Sequence, residues 1–148
     1  MKKTLACLLL FIACIIIFTG CTQNYNDNSQ IRLEINRKKF TFEVAKSEEK
    51  KQKGLAGIKS LDPNKGMIFI FDKSDYLQFW MKDTLIPLQI LFINGCEIVD
   101  AQETKVGEDP SNPQIIYKSK APADKAIEVN QNTFEEDIVG QKIQEFCK

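Results

Sequence analysis

The sequence predicts a mostly β protein: a compact sandwich or barrel of short antiparallel strands with one or two short helices. Three observations carry this. Several stretches alternate apolar and polar residues with a period of two. The longer apolar runs are rich in aromatic and β-branched side chains. Turn residues punctuate the chain between these stretches.

The elements follow in order. In 31–35, Ile31, Leu33 and Ile35 point one way, and Arg32 and Glu34 the other. In 40–45, Phe40, Phe42 and Val44 share a face, and Asn36-Arg37-Lys38-Lys39 between the two stretches reads as a hairpin turn. Ser47 is placed to cap a short helix beginning at Glu48, and Gly54 to end it. Asp62-Pro63-Asn64-Lys65-Gly66 reads as a turn, Pro63 setting φ and Gly66 tolerating a positive one. Strands are expected at 67–71, 76–81 and 88–93, two of them apolar on both faces as central strands are. Asn94-Gly95 is the strongest hairpin signal, because both residues can take positive φ, and 96–101 is its return strand. A polar loop covers 107–112. Residues 115–117 and 126–129 are further short strands, 133–139 holds a helical turn, and 141–146 is either strand or helix.

The N-terminus carries an export pattern. Lys2 and Lys3 precede an almost wholly apolar run over 5–18, which leads into Phe18-Thr19-Gly20-Cys21. The run is too short for a comfortable membrane span and sits where a signal peptide has its apolar region. The last four residues resemble a lipobox, in which the Cys is acylated and becomes the new N-terminus. The expected organisation is a signal peptide over 1–20, a lipidated tether over 21–30 and a β domain over 31–148. Cys21 then holds the protein to the cell membrane or outer membrane on its extracytoplasmic face, since each buried acyl methylene contributes about 0.8 kcal/mol. The alternatives are a cleaved secretion signal or an uncleaved anchor.

Removing Lys2 and Lys3 from the 20 basic residues leaves 18 against 20 acidic ones, so the mature chain is close to neutral. That gives no basic face for nucleic acid. Histidine is absent, which excludes Ser-His and Cys-His nucleophile pairs, an imidazole base and His-ligated metals. Cys7 and Cys14 leave with the leader. Cys96 and Cys147 remain as an even pair in an exported domain, either bridged or free.

Two blocks carry a resemblance. Gly66-Met67-Ile68-Phe69-Ile70-Phe71 and the run from Phe79-Trp80-Met81-Lys82-Asp83-Thr84 through Pro87 to Ile93 resemble the signature of the DUF192 family. Gly54-Leu55 upstream, and Ile127-Glu128-Val129 and Gly140 downstream, extend the likeness over most of the chain from Ile31. The resemblance implies a compact all-β domain, often exported or membrane-attached, with no established activity. The chain departs from the family pattern at Ala56, where Met is usual, at Asp83, where Asn is usual, and at Gln89, where Asp is usual. The last change removes a carboxylate that could act as a general base.

Candidate site residues come from the second block. On a strand over 76–82, Tyr76, Gln78, Trp80 and Lys82 share one face, and Leu77, Phe79 and Met81 the other. The first set suits a ligand wall of flat apolar surface with a few placed donors. The same pattern fits a core Trp80 with Lys82 reaching to water. Asp83 and Thr84 could line the pocket from a loop or form a local turn. Gln89 is placed beside them. Glu128 lies within an apolar strand pattern and needs a partner if buried, for which Lys82 is the candidate. Asp72, Asp75 and Asp83 lack calcium-loop spacing, so no metal and no cofactor are expected. Glu48, Glu49, Lys50, Lys51 and Lys53 read as an exposed helix face.

Together these readings predict a membrane-tethered, non-catalytic binding or accessory domain for a small molecule or an envelope component. One alternative is an assembly lipoprotein acting through a protein partner. The other is a carboxylate hydrolase built on Asp83 and Glu128, which needs the two facing across a cleft.

Overall fold

A computed structural model describes residues 24–107, 109 and 111–147. The expected leader with Cys7 and Cys14, and the expected lipidation site Cys21, lie outside the described residues.

Among the described residues eight strands form two sheets: β1 (Gln30–Ile35), β2 (Lys38–Ala45), β3 (Lys65–Asp75), β4 (Gln78–Trp80), β5 (Leu88–Asn94), β6 (Glu97–Glu103), β7 (Ile116–Lys118) and β8 (Ala123–Asn130). The large sheet runs β1-β2-β3-β8-β5-β6, and β4 pairs with β7 as a separate two-stranded flap. The mostly β expectation holds. The large sheet is open, with β1 and β6 at its ends, so it is not a closed barrel.

One pairing departs from the antiparallel expectation: β2 and β3 are parallel. The reason lies in the connection. A parallel neighbour needs a crossover, and 46–64 supplies one that contains helix α1 (Glu48–Lys53). Ser47 caps α1 as its sequence predicts, its side-chain oxygen accepting the Lys50 amide at 3.1 Å, and the Gly54 amide closes the helix on the Lys50 carbonyl at 3.0 Å.

Gly66 is not a turn residue. It lies inside β3, where a Cβ would meet the Glu128 carbonyl oxygen and come within 2.8 Å of the Phe42 ring. Close approach of β2, β3 and β8 therefore requires glycine here. The β5–β6 hairpin is also offset from expectation. Asn94 pairs with Glu97, so Gly95 and Cys96 form the two-residue loop, and only Gly95 of the two has positive φ, at 60°. A type II′ turn needs just that, with glycine first.

The central strands β3, β5 and β8 are buried on both faces. One face gathers Leu33, Phe42, Ile68, Leu91 and Ile127 with Phe134, Ile138 and Ile143. The other gathers Met67, Phe69, Leu88, Ile90 and Phe92 with Leu55, Leu77, Met81 and Tyr117. The chain after β8 covers the first face through two short 3₁₀ turns, Glu136–Ile138 and Gln144–Phe146. It meets both edges of the sheet. Gln141 accepts the Ile98 amide of β6 at 2.9 Å, and the Glu145 carboxylate accepts the Glu34 amide of β1 at 2.7 Å. Residues 141–146 thus combine the two options: Lys142 bridges to Glu97, and a 3₁₀ turn follows. A disulfide joins Cys96 to Cys147, with Cα atoms 5.1 Å apart, and ties this segment to the β5–β6 turn.

The segment expected to be tether is partly built into the domain. Tyr25 packs on the first face, and the Asp27 carboxylate accepts the Lys46 and Ser47 amides at 2.6 and 3.0 Å. Its hydrogen bonds with Ser47 and these amides hold that carboxyl below its ordinary value.

Candidate functional site

The second face of the sheet is only partly covered, and its open part forms the site. The flap sits on this face because β4 alternates as its sequence predicts: Leu77 and Met81 are buried, Phe79 points inward, and Tyr76, Gln78, Trp80 and Lys82 face outward. Phe79 pins the flap by edge contacts with Phe69 and Phe92, at 4.9 and 5.7 Å between ring centres. The inward Tyr117 of β7 accepts the Lys105 amide on its hydroxyl at 2.9 Å.

Between the flap and helix α1 lies a half-open cleft of about 370 Å³. Phe69, Phe71, Phe79 and Ile116 give it an apolar wall. Gln78, Trp80, Lys82 and Thr84 border it on the flap side, and Glu48, Lys51, Gln52 and Lys53 on the helix side. Glu128 also lines it. The register places Glu128 opposite Met67 on β3 and Ile90 on β5, so its side chain stands on this face between two apolar neighbours.

Glu128 is 4% exposed, and no hydrogen bond or ion pair reaches its carboxyl among the described residues. No polar side-chain atom there is both sealed and unpartnered, so the carboxyl keeps contact with the open space of the cleft. Burial disfavours its charged form and pushes its pKa up to about 8. At neutral pH Glu128 is therefore mostly a neutral acid, a donor rather than a base. The expected pairing with Lys82 is not made. Lys82 instead places its ammonium 5.5 Å from the centre of the Trp80 ring.

Trp80 does not fill the core. It is 48% exposed, because β4 pairs only with β7 and its outward face meets no third layer. Thr84 is buried at the cleft, with its hydroxyl donating to the Lys82 carbonyl at 3.3 Å, a local turn that also borders the site. Asp83 belongs to the turn alone. Its φ is 55°, its carbonyl accepts the Gly57 amide at 2.8 Å, and its side chain is not part of the lining. Tyr76 borders a neighbouring depression and lies under the Lys118 ammonium at 5.3 Å.

Gln89 lies on the opposite face of the sheet, not beside Trp80. One residue along β5 reverses the side, and its amide makes a reciprocal pair with the Phe134 backbone, at 2.9 and 3.0 Å. This is a structural bond that holds the chain after β8 in place. Of the eight expected ligand residues, the cleft thus brings together Gln78, Trp80, Lys82, Thr84 and Glu128.

The sequence reading missed the helix side. The run from Glu48 to Lys53 contains no apolar residue, so nothing in its pattern marks the side turned inward. Lys51 is nevertheless largely buried, 4.5 Å from the centre of the Phe71 ring and 2.6 Å from Glu48. No group of His, Cys, Asp and Glu arranged to hold a metal occurs among the described residues.

The fold and site define a class of small mixed-sheet domains with one face half covered by a flap and an aromatic cleft beside it. The chain belongs to the DUF192 family, described as Uncharacterized ACR, which matches residues 31–144. Its fold is similar to that of a candidate transcription regulator from Sinorhizobium meliloti 1021, at 25% identity and a TM-score of 0.66, covering 81% of this chain and 95% of that one. It is also similar to a protein of unknown function from Novosphingobium aromaticivorans DSM 12444, at 22% identity and a TM-score of 0.61, covering 77% and 82%. No curated protein matches the chain.

Proposed function

We propose that this protein is a lipid-anchored extracytoplasmic binding domain that holds a small molecule or envelope component in the cleft between the flap and helix α1. The observation that carries the reading is the pairing of a half-exposed Trp80 with an unpartnered Glu128 in one partly apolar cleft. Exposed aromatic surface with a few placed polar groups is what a ligand site needs. A buried carboxyl without a partner costs stability unless something else uses it. The lipobox-like Phe18-Thr19-Gly20-Cys21 supports the anchor, and Tyr25, four residues later, already packs on the domain.

Native mass spectra of the protein purified gently from its exported form test the binding reading. The expected result is a reproducible added mass that is lost in Trp80→Ala while folding survives. A bare mass under every condition would overturn it. For the anchor, Cys21→Ser should move the protein out of the membrane fraction.

A second reading has its own support. Ile115, Ile116, Leu85 and Trp80 are all exposed on or beside the flap, and such a patch also suits a protein partner. The hydrolase reading loses its nominated pair, since Asp83 does not line the cleft that holds Glu128.

A further inference from the structure

We propose that the cleft takes an anion with a flat apolar body, its charged oxygens directed to the Lys51 and Lys82 ammoniums and an acceptor oxygen to the Glu128 carboxyl group. This rests on the binding reading above and specifies the chemistry of the ligand.

Three observations separate an anion from a cation. The lining carries Lys51, Lys53 and Lys82 against one rim carboxylate, Glu48, which pairs with Lys51 at 2.6 Å and leaves two cations in excess. Two of the four aromatic residues in the lining already carry a protein cation, Phe71 the Lys51 ammonium at 4.5 Å and Trp80 that of Lys82 at 5.5 Å. Glu128 meets only apolar neighbours in its own sheet, Met67 and Ile90, and no cation pairs with it among the described residues. A carboxyl kept neutral in this way donates a hydrogen bond, as buried acids at ligand sites do. The apolar wall of Phe69, Phe71, Phe79 and Ile116 sets the body of the ligand as a ring or flat hydrocarbon.

The proposal makes binding depend on pH. Glu128 must keep its proton to donate, so affinity for an anion falls as pH rises through about 8. The other charged groups facing the cleft among the described residues are Glu48, Lys51 and Lys53 from α1 and Lys82 from the turn after β4; β3, β5 and β7 contribute none to its lining.

Trp80 is the only tryptophan in the chain, so its indole N–H gives one unambiguous NMR reporter at the site. The test uses the full processed protein in detergent and three matched probes: 1-naphthoate, 1-naphthalenemethanol and 1-naphthylmethylamine. At pH 6.5 naphthoate should shift the indole signal with an affinity at least about tenfold above that of the amine, equivalent to about 1.4 kcal/mol. Its affinity should fall by about tenfold between pH 7 and pH 9. Glu128→Gln, which keeps a donor, should bind at pH 6.5 and lose that fall. The double variant Lys51→Gln/Lys82→Gln should lose the preference for the anion while still binding the neutral alcohol. Tighter binding of the amine, or an unchanged pH profile in Glu128→Gln, would overturn the assignment and leave the cleft standing as a site. No shift from any of the three probes would overturn the cleft itself.

Discussion

Glu128 shows how one residue couples the site to stability. Its ordinary pKa of 4.5 rises to about 8 in the fold because burial disfavours the charge. Below pH 4.5 it is protonated in both folded and unfolded chains and has no differential effect. As pH rises from 4.5 towards 8, only the unfolded chain gains by ionising, so stability declines across that window and levels off above it. The full shift corresponds to roughly 4–5 kcal/mol. Glu128→Gln should therefore match the parent near pH 4 and exceed it by several kcal/mol at pH 8, measured by urea unfolding at each pH. Glu103, also raised by desolvation, declines in the same sense and persists in the variant. Gln89 gives the opposite case. Its substitution by Ala leaves the buried amide and carbonyl of Phe134 without partners, which costs about 1–3 kcal/mol. The expected outcome is a lower unfolding midpoint with unchanged ligand response at Trp80, because the two residues lie on opposite faces of the sheet. The sequence marked Glu128 as an acid within an apolar strand. It could not show that Lys82 turns to Trp80 instead, since that depends on where the flap lies.

At the scale of elements, local chemistry was largely readable. Alternation located β1 and β2, continuous apolar runs located β3 and β5, and Ser47 with Gly54 bounded α1. What failed were features that depend on a neighbour. Gly66 looked like a turn residue because Asp62 and Pro63 precede it, yet its reason for being glycine is the packed Phe42 ring and the Glu128 carbonyl. The β1–β2 turn is also more demanding than its polarity suggested. Asn36 and Arg37 both take left-handed φ, 48° and 62°, in a two-residue hairpin loop. Glycine is favoured at the second position of such a turn. Arg37→Gly should therefore raise stability, by up to about 1 kcal/mol, read as a shift in urea midpoint with no change in slope. A loss of stability would mean that the Arg37 side chain contributes more than its backbone costs.

At the scale of the molecule, the open sheet depends on the chain that follows β8. Residues 134–146 supply Phe134, Ile138 and Ile143 to the first core and bond both edge strands. Edge strands left bare are pairing templates, so this cover also protects the sheet. The Cys96–Cys147 disulfide spans 51 residues and fastens the far end of the cover. Closing a loop of that size contributes about 4 kcal/mol in the chain-entropy account. Cys147→Ser should lower stability by roughly 2–4 kcal/mol, and reductant should lower the parent by a similar amount while leaving the variant unchanged. If reductant alone has no effect, the bridge does not hold the cover.

The mostly β class, the strand segments, the cap of α1, the alternation that turns Trp80 and Lys82 to one side, and the family were all legible in the order of the amino acids. These follow from short-range rules: side-chain period, turn stereochemistry and capping. The parallel β2–β3 pairing, the separation of β4 and β7 into a flap, the removal of Gln89 to the opposite face and the isolation of the Glu128 carboxyl emerge only in the folded chain. Each depends on contacts between residues far apart in the chain, where a one-residue change of register reverses the face, and no local pattern records which face meets which.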